Sequence, residues 1–216
     1  MSDDWNISFY CPPLWAEPKD KLTEGAFVNA MVGREYWFVS GSKIPSQCRY
    51  RSEIAKMVAS LPEDAAAGKG AIFYGGYGHG KSSASVIMLK AAYVRGAQMF
   101  FRKANLMKDA FLKQWAFLSP EGVPIWSMMT RCQFAVLDDL GAELVLAGYE
   151  KGDIRIMESI VRDRYDAKLP TYITTNLEMK DLMTAYPSLS SIFLDSSRYY
   201  LVEVTGKNWR NPDVRD

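Results

Sequence analysis

The residues best equipped for chemistry lie in one stretch, Gly75-Gly76-Tyr77-Gly78-His79-Gly80-Lys81-Ser82, which matches the pattern G-x-x-x-x-G-K-[ST] without a gap. Glycines let a backbone turn sharply and aim its N–H groups inward, and a helix that starts just after them offers its positive end to phosphate. In such a loop Lys81 would reach the β and γ phosphates of a nucleotide, and the Ser82 hydroxyl would hold Mg²⁺. Gly75 to Gly80 with Lys81, Ser82 and Ser83 is therefore the candidate cofactor-binding set, and ATP with Mg²⁺ the expected pair. A second constellation follows Phe134-Ala-Val-Leu137, where two acids, Asp138 and Asp139, stand side by side. Asp138 suits the metal, directly or through water, and Asp139 suits orienting and deprotonating an attacking water. A third candidate is Asn176, whose uncharged amide suits holding that water or reporting on the γ phosphate. An Asn that simply ends a strand is the alternative reading.

Particular elements must deliver these groups. A phosphate loop needs a strand before it and a helix after it. Ala71-Ile-Phe-Tyr74 is a short apolar run bounded by glycines, and Ser83 to Arg95 contains neither Pro nor Gly, so both flanks are present. Gln98 to Arg102 reads as a second strand, Asn105 to Leu118 as a helix, and Ile125 to Thr130 as a short helix. The apolar run ending in the two acids is a buried strand, and in an open α/β sheet ligands sit at the carboxyl ends of strands. Gly152 to Lys168 is a long helix with Ile154, Met157, Val161 and Tyr165 inward; Pro170 to Asn176 and Leu201 to Thr205 are the remaining strands. Ahead of the loop, Ser52 to Leu61 is an amphipathic helix, Pro62 follows its end, and the residues from there to Gly70 read as a connecting loop. Alternation of strands and helices predicts an α/β fold, three layers on a mostly parallel sheet.

Composition narrows the class. With 216 residues, 48% hydrophobic and 24% charged, the chain can bury a sizeable core. A net charge of +1 means that any nucleic-acid contact must come from a local patch. The three cysteines, Cys11, Cys48 and Cys132, are scattered and His79 is the sole histidine, which argues against a zinc site and for reduced thiols. No apolar run approaches the ~18 residues of a membrane span, so a soluble, cytoplasmic protein is expected. Residues 1–43 are rich in aromatics, among them Trp5, Trp15, Tyr36, Trp37 and Phe38. They read either as packing against the main domain or as a docking surface for a partner. Within them Phe27 to Val32 suggests a short helix and Glu35 to Ser40 a strand.

Several stretches resemble the DnaC/IstB group of AAA+ ATPases, the replicative helicase loaders and transposition helpers. Leu137-Asp-Asp-Leu-Gly-Ala-Glu143 is similar to the group's Walker B signature. So is Arg162 to Asn176, in which Arg-Tyr, Leu-Pro-Thr and Thr-Thr-Asn recur in order. Lys43 to Arg51 is similar to the group's opening segment, and Gly206-Lys-Asn-Trp-Arg210 to its closing Gly-x-x-x-Arg. The resemblance implies a five-stranded sheet ordered 5-1-4-3-2, an ATPase domain over residues 44–216, and no separate helical lid domain. It implies ATP between neighbouring subunits of a self-associated ring or spiral. The catalytic set it implies is Lys81, Asp139, Asn176 as sensor I, Arg210 as a sensor II-type arginine, and Arg198 as an arginine finger acting on the neighbour's ATP. Ser83 stands where loaders often carry His, and Ser190 to Tyr200 is shorter than the group's usual helix.

The implied activity is ATP hydrolysis coupled to loading or remodelling a hexameric replicative helicase on single-stranded DNA, in a bacterial or phage-infected cell. Residues 1–43 would dock the helicase. For the DNA itself, Phe101, Arg102, Lys103 and Lys108 combine an aromatic with cations, although Phe101 fits a buried strand equally well. A transposition helper shares every motif named. A small-molecule kinase would use the same loop but needs an arginine-bearing lid, and the paired acids favour water as acceptor. A purely structural nucleotide-binding module is the remaining alternative.

Overall fold

The computed structural model describes residues 22–45, 48–107, 109–111, 122–142 and 151–206. Its five strands are β1 (Gly70–Tyr74), β2 (Met99–Lys103), β3 (Phe134–Asp138), β4 (Thr171–Thr174) and β5 (Tyr199–Glu203). They pair in parallel throughout, in the spatial order β2-β3-β4-β1-β5. This is the expected 5-1-4-3-2 order viewed from the other edge. The described helices are α1 (Glu24–Asn29), α2 (Arg49–Ala59), α3 (Leu61–Ala67), α4 (Lys81–Val94), α5 (Gly122–Arg131), α6 (Lys151–Asp166), α7 (Met179–Ala185) and α8 (Ser190–Phe193).

Side chains alternate across the sheet, and both faces are covered. Ala71, Phe73, Phe101, Val136, Tyr172 and Val202 share one core with α2, α4 and residues of the segment before α2. Ile72, Phe100, Ala135, Leu137 and Ile173 share the other with α5, α6, α7 and α8. Burial on two faces is why these strands read as unbroken apolar runs rather than alternating ones.

Two local expectations fail for identifiable reasons. The residues after Pro62 form helix α3 instead of a loop. Pro62 stands in the first turn, where its missing N–H costs nothing; Glu63 and Asp64 suit the positive end, and Gly68 closes the helix at φ +69°. Glu35 to Ser40 is not a strand: a 3-10 turn covers Arg34–Tyr36, and a loop follows. Tyr36 and Trp37 pack inward, with Trp37 stacked on Phe27 at 5.5 Å and its Nε1 donating to Val32 O at 2.9 Å. The outer edge of β2 is met by a backbone bond from the residues that follow α1, Phe101 N donating to Ala30 O at 2.8 Å. The expected helix from Asn105 begins as a 3-10 turn over Ala104–Leu106, and its part beyond residue 111 lies outside the described residues.

Two cations, one half-buried and one fully buried, brace the faces. Lys90 of α4 donates to Trp37 O at 2.8 Å and Val39 O at 2.5 Å and lies 5.2 Å from the Phe27 ring centre. Arg164 of α6 is 0% exposed. It donates to Thr171 Oγ1 and to the carbonyls of Met129, Cys132 and Pro170 at 2.8–2.9 Å. Its guanidinium thus has acceptors on several sides, as a buried charge requires.

Candidate nucleotide-binding active site

β1 delivers the glycine loop to the carboxyl edge of the sheet. Gly75 (φ +129°) and Gly80 (φ +98°, the residue capping α4) hold conformations that side-chain-bearing residues avoid. A Cβ on Gly75 would also lie 2.7 Å from Val204 O. The Tyr50 hydroxyl donates to His79 O at 3.3 Å, and the His79 ring turns back to Val204 O at 3.2 Å. The loop is therefore clamped from α2 and from the end of β5. Buried Lys81, the first residue of α4, sends Nζ back under the loop. It donates to Gly75 O at 2.8 Å, Gly76 O at 2.6 Å and Asn176 Oδ1 at 2.6 Å.

Asn176 connects this cation to the acids. Its Oδ1 accepts from Lys81, and its Nδ2 donates to Asp139 Oδ1. A donor on one side and an acceptor on the other fix the orientation of the amide. Thr174 at the end of β4 does similar work: its Oγ1 accepts from Asp139 N and donates to Asp138 Oδ1, both at 2.8 Å. Thr175 donates to Leu140 O at 2.7 Å. The turn after β3 is thus tied down residue by residue to Thr174-Thr175-Asn176. Asp139 sits at φ +60°, a strained backbone for a residue other than glycine, held by these bonds. Asp138 is 2% exposed. Burial pushes its carboxyl above the usual carboxylate range, hydrogen bonds from Ser82 and Thr174 oppose that shift, and nearby Asp139 adds to it.

These groups line a cavity of about 560 Å³. Lys81, Ser82, Ser83, Asp138, Asp139, Thr174 and Asn176 form one side. The other side comes from the segment before α2 and from α2, including Tyr36, Phe38, Val39, Ile44 and Tyr50. Two aromatic rings stand at the opening, Phe38 (80% exposed) and Tyr77 (68% exposed). The cavity thus has a polar, charged floor suited to phosphates and an aromatic wall suited to a base.

Of the expected residues, the fold brings together the loop, Lys81, Ser82, Ser83, Asp138, Asp139 and Asn176. Arg198 stands at the opposite end of the sheet, where its carbonyl accepts from Gly70 N at 2.9 Å. Its guanidinium donates to Gly68 O at 3.1 Å and Tyr165 O at 2.8 Å and lies over the Tyr165 ring at 4.4 Å. Arg210 and Lys108 lie outside the described residues. Phe101 is a correction: it is 4% exposed and packed on Tyr36, so it offers no free face to a base. Arg102 is half-buried and donates to Met31 Sδ, while Lys103 is exposed and lines the cavity beside Asp138. Sequence reasoning gave no task to Thr174 or Thr175, although the Thr-Thr-Asn run was visible. It also missed the wall from the segment before α2, for which no residue spacing gives a signal.

The residues fit a magnesium nucleotide. Ser82 and Asp138 are already hydrogen-bonded partners, a hydroxyl and a carboxylate, as befits a hard cation that takes its other ligands from phosphate and water. Among the described residues no group of three or more His, Cys, Asp or Glu is placed to cage a metal. No protein-family model and no curated protein matches this chain. Solved structures do. The DnaC helicase loader superposes with a TM-score of 0.64 and 22% identity over 80% of this chain and 100% of that one. DnaI superposes with a TM-score of 0.63 and 19% identity over 82% and 94%. Replication initiator DnaA, bound to AMPPCP and single-stranded DNA, gives 0.62 and 16% over 81% of this chain and 51% of its own. This chain therefore has the α/β phosphate-loop fold, of AAA+ type, that these replication proteins share.

Proposed function

We propose that this chain is an ATPase of DNA replication that loads or remodels a replicative helicase on single-stranded DNA, with nucleotide hydrolysis as its switch. The observation that carries the reading is the connected chain Lys81–Asn176–Asp139, closed by Thr174 and Asp138 in the same cavity. It joins the phosphate-binding cation to the base that would act on water, through an amide able to sense whether a γ phosphate is present. Lys81 and the loop N–H groups bind the phosphates, and Asn176 orients the attacking water. Asp139 takes the proton as the water oxygen bonds to the γ phosphorus and the bond to the β–γ bridging oxygen breaks, releasing ADP and phosphate. Mg²⁺, held by Ser82 and Asp138, would polarise the β and γ oxygens. The likeness to a helicase loader and to an initiator bound to single-stranded DNA supports the choice of replication as the setting. Residues 1–43 are the proposed contact with the helicase, and Arg210 the proposed closing arginine.

Fluorescence anisotropy of a labelled single-stranded oligonucleotide tests this, with ADP against a slowly hydrolysed ATP analogue and wild type against Lys81→Ala. Binding is expected with the analogue, weaker with ADP, reduced by salt and lost in the variant. Absence of DNA binding in every nucleotide state, with or without a helicase, would sink the replication reading.

A further inference from the structure

β2 ends on two adjacent cations with different surroundings. Arg102 is half-buried and engaged with Met31. Lys103 is exposed, lines the same cavity as Lys81, Ser82, Asp138 and Asp139, and lies opposite Asp138 in the parallel register of β2 and β3. The acids beside it already have other partners. Asp138 takes hydrogen bonds from Thr174 and Ser82, and Asp139 takes one from the Asn176 amide. Lys81, in turn, is shared among three acceptors of its own chain. Among the described residues the Lys103 ammonium has no hydrogen bond or ion pair, only the longer-range attraction of Asp138. A cation pointing into a site with no protein acceptor is available to an anionic ligand.

Strand order decides which part of the ligand it meets. β2 is separated from β1, which carries the phosphate loop, by β3 and β4, a spread of about 14 Å at the spacing of neighbouring strands. Phosphates cradled in the loop are held from the β1 side. Lys103 approaches from the β2 side of the acids, so the part of the ligand nearest to it is the end that extends from the loop past β4 towards Asp138 and Asp139, the terminal phosphate.

We propose that Lys103 is a second phosphate-binding cation, gripping the terminal phosphoryl group of a nucleoside triphosphate from the β2 side. This inference rests on the ATPase reading above and assigns Lys103 to nucleotide rather than to nucleic acid. It makes Lys103 the group that distinguishes tri- from diphosphate, because only the terminal phosphate reaches it. The electrostatic grip strengthens as charge moves onto the phosphoryl oxygens during transfer.

The test uses the full chain, with Lys103→Met and Lys103→Arg beside wild type and Mg²⁺ present throughout. Calorimetric affinities are measured for a non-hydrolysable ATP analogue and for ADP, together with ATP turnover and oligonucleotide binding. In Lys103→Met, affinity for the analogue is expected to fall roughly tenfold, ADP affinity to stay within about twofold, and kcat/KM to fall roughly 10- to 100-fold. Lys103→Arg should recover most of each loss. Because the side chain is exposed, the melting temperature should not move. Equal losses for both nucleotides, or none, would overturn the assignment, as would loss of oligonucleotide binding with nucleotide affinities intact. Wild-type protein that binds neither nucleotide would refute the ATPase reading itself, and this inference with it.

Discussion

Asp138 shows how one side chain sets function against stability. It is buried to the point that its carboxyl is pushed above the ordinary range, with Asp139 beside it adding to the push. An acid whose folded pKa exceeds its unfolded one binds more protons when folded across the window between the two values. The stability it contributes is therefore full below the ordinary carboxylate range and is lost as pH rises through the raised value. As pH rises above the ordinary carboxylate range, the ligand-free protein bears a growing cost for this buried acid. Asp138→Asn should raise the melting temperature at pH 7 by about 2–4 °C for each kcal/mol recovered. The amide can still accept from Thr174 and can donate to Ser82. Scanning calorimetry across pH should show the gain shrinking to nothing as pH falls into the ordinary carboxylate range. The same variant should lose roughly 100-fold or more in Mg²⁺-dependent hydrolysis, since the carboxylate that holds the ion is gone. A variant that hydrolyses normally, or that melts lower at every pH, would place Asp138 outside the metal site. Thr174 belongs to the same balance, because its hydroxyl, with that of Ser82, supplies a hydrogen bond that favours the ionised form of Asp138.

At the scale of elements, the cavity is closed by a segment with little regular structure, and α4 holds it in place. Lys90 lies on the helix that begins with Lys81 and binds the carbonyls of Trp37 and Val39, on either side of exposed Phe38. The helix that presents the phosphate loop thereby also positions the wall expected to meet the base. Burial, aided by the Lys43 charge, lowers the Lys90 pKa, and the two carbonyls repay part of that cost. Lys90→Met keeps the stem and removes the donor. Its expected effect is a loss of about 1–3 kcal/mol in stability and a several-fold rise in the KM for ATP, with kcat within about twofold of wild type. A drop in kcat at unchanged KM would place the action of Lys90 elsewhere. None of this was legible beforehand, because the aromatics of residues 22–45 announce packing without saying against what. The strands were legible, because burial on both faces leaves unbroken apolar runs such as Phe134 to Leu137. The sheet order came from the resemblance, since no residue pattern encodes which strands become neighbours. Pro62 misled because proline stops one helix and starts another with equal ease, and only the Gly68 cap eight residues after Ser60 marks the second. The Arg-Tyr, Leu-Pro-Thr and Thr-Thr-Asn run makes physical sense only in three dimensions. Arg164 binds Pro170 and Thr171, where the chain enters β4, and Thr174 ends β4 in the site with Thr175 and Asn176 just beyond it.

Across the whole molecule, the two ends of the sheet hold different things. The carboxyl end holds the phosphate loop, the acids and Asn176, whereas Arg198 precedes β5 at the amino end, level with Gly70. The five steps of β1 from Gly70 to Gly75 span about 16 Å, so Arg198 cannot serve the nucleotide of its own chain. Its guanidinium already braces Gly68 and Tyr165, tying α3 and α6 to β5. Any action on phosphate must therefore be on a neighbouring copy, at the cost of releasing at least one of those bonds. Mixing tests this directly. Lys81→Ala cannot hold the phosphates but still presents Arg198, and Arg198→Ala holds nucleotide but lacks the arginine. Each alone is expected to hydrolyse little ATP. Combined, they should exceed the sum of their separate rates, by an amount that grows with protein concentration as copies associate. Arg198→Lys, which keeps one donor for Gly68 or Tyr165, separates instability from action in trans. It should melt close to wild type yet remain slow, because the planar fork that stabilises a transferring phosphoryl group is lost. Mixtures that never exceed the sum, at concentrations where the copies associate, would leave Arg198 as an architectural brace. The trans-acting cation would then have to be sought elsewhere in the chain.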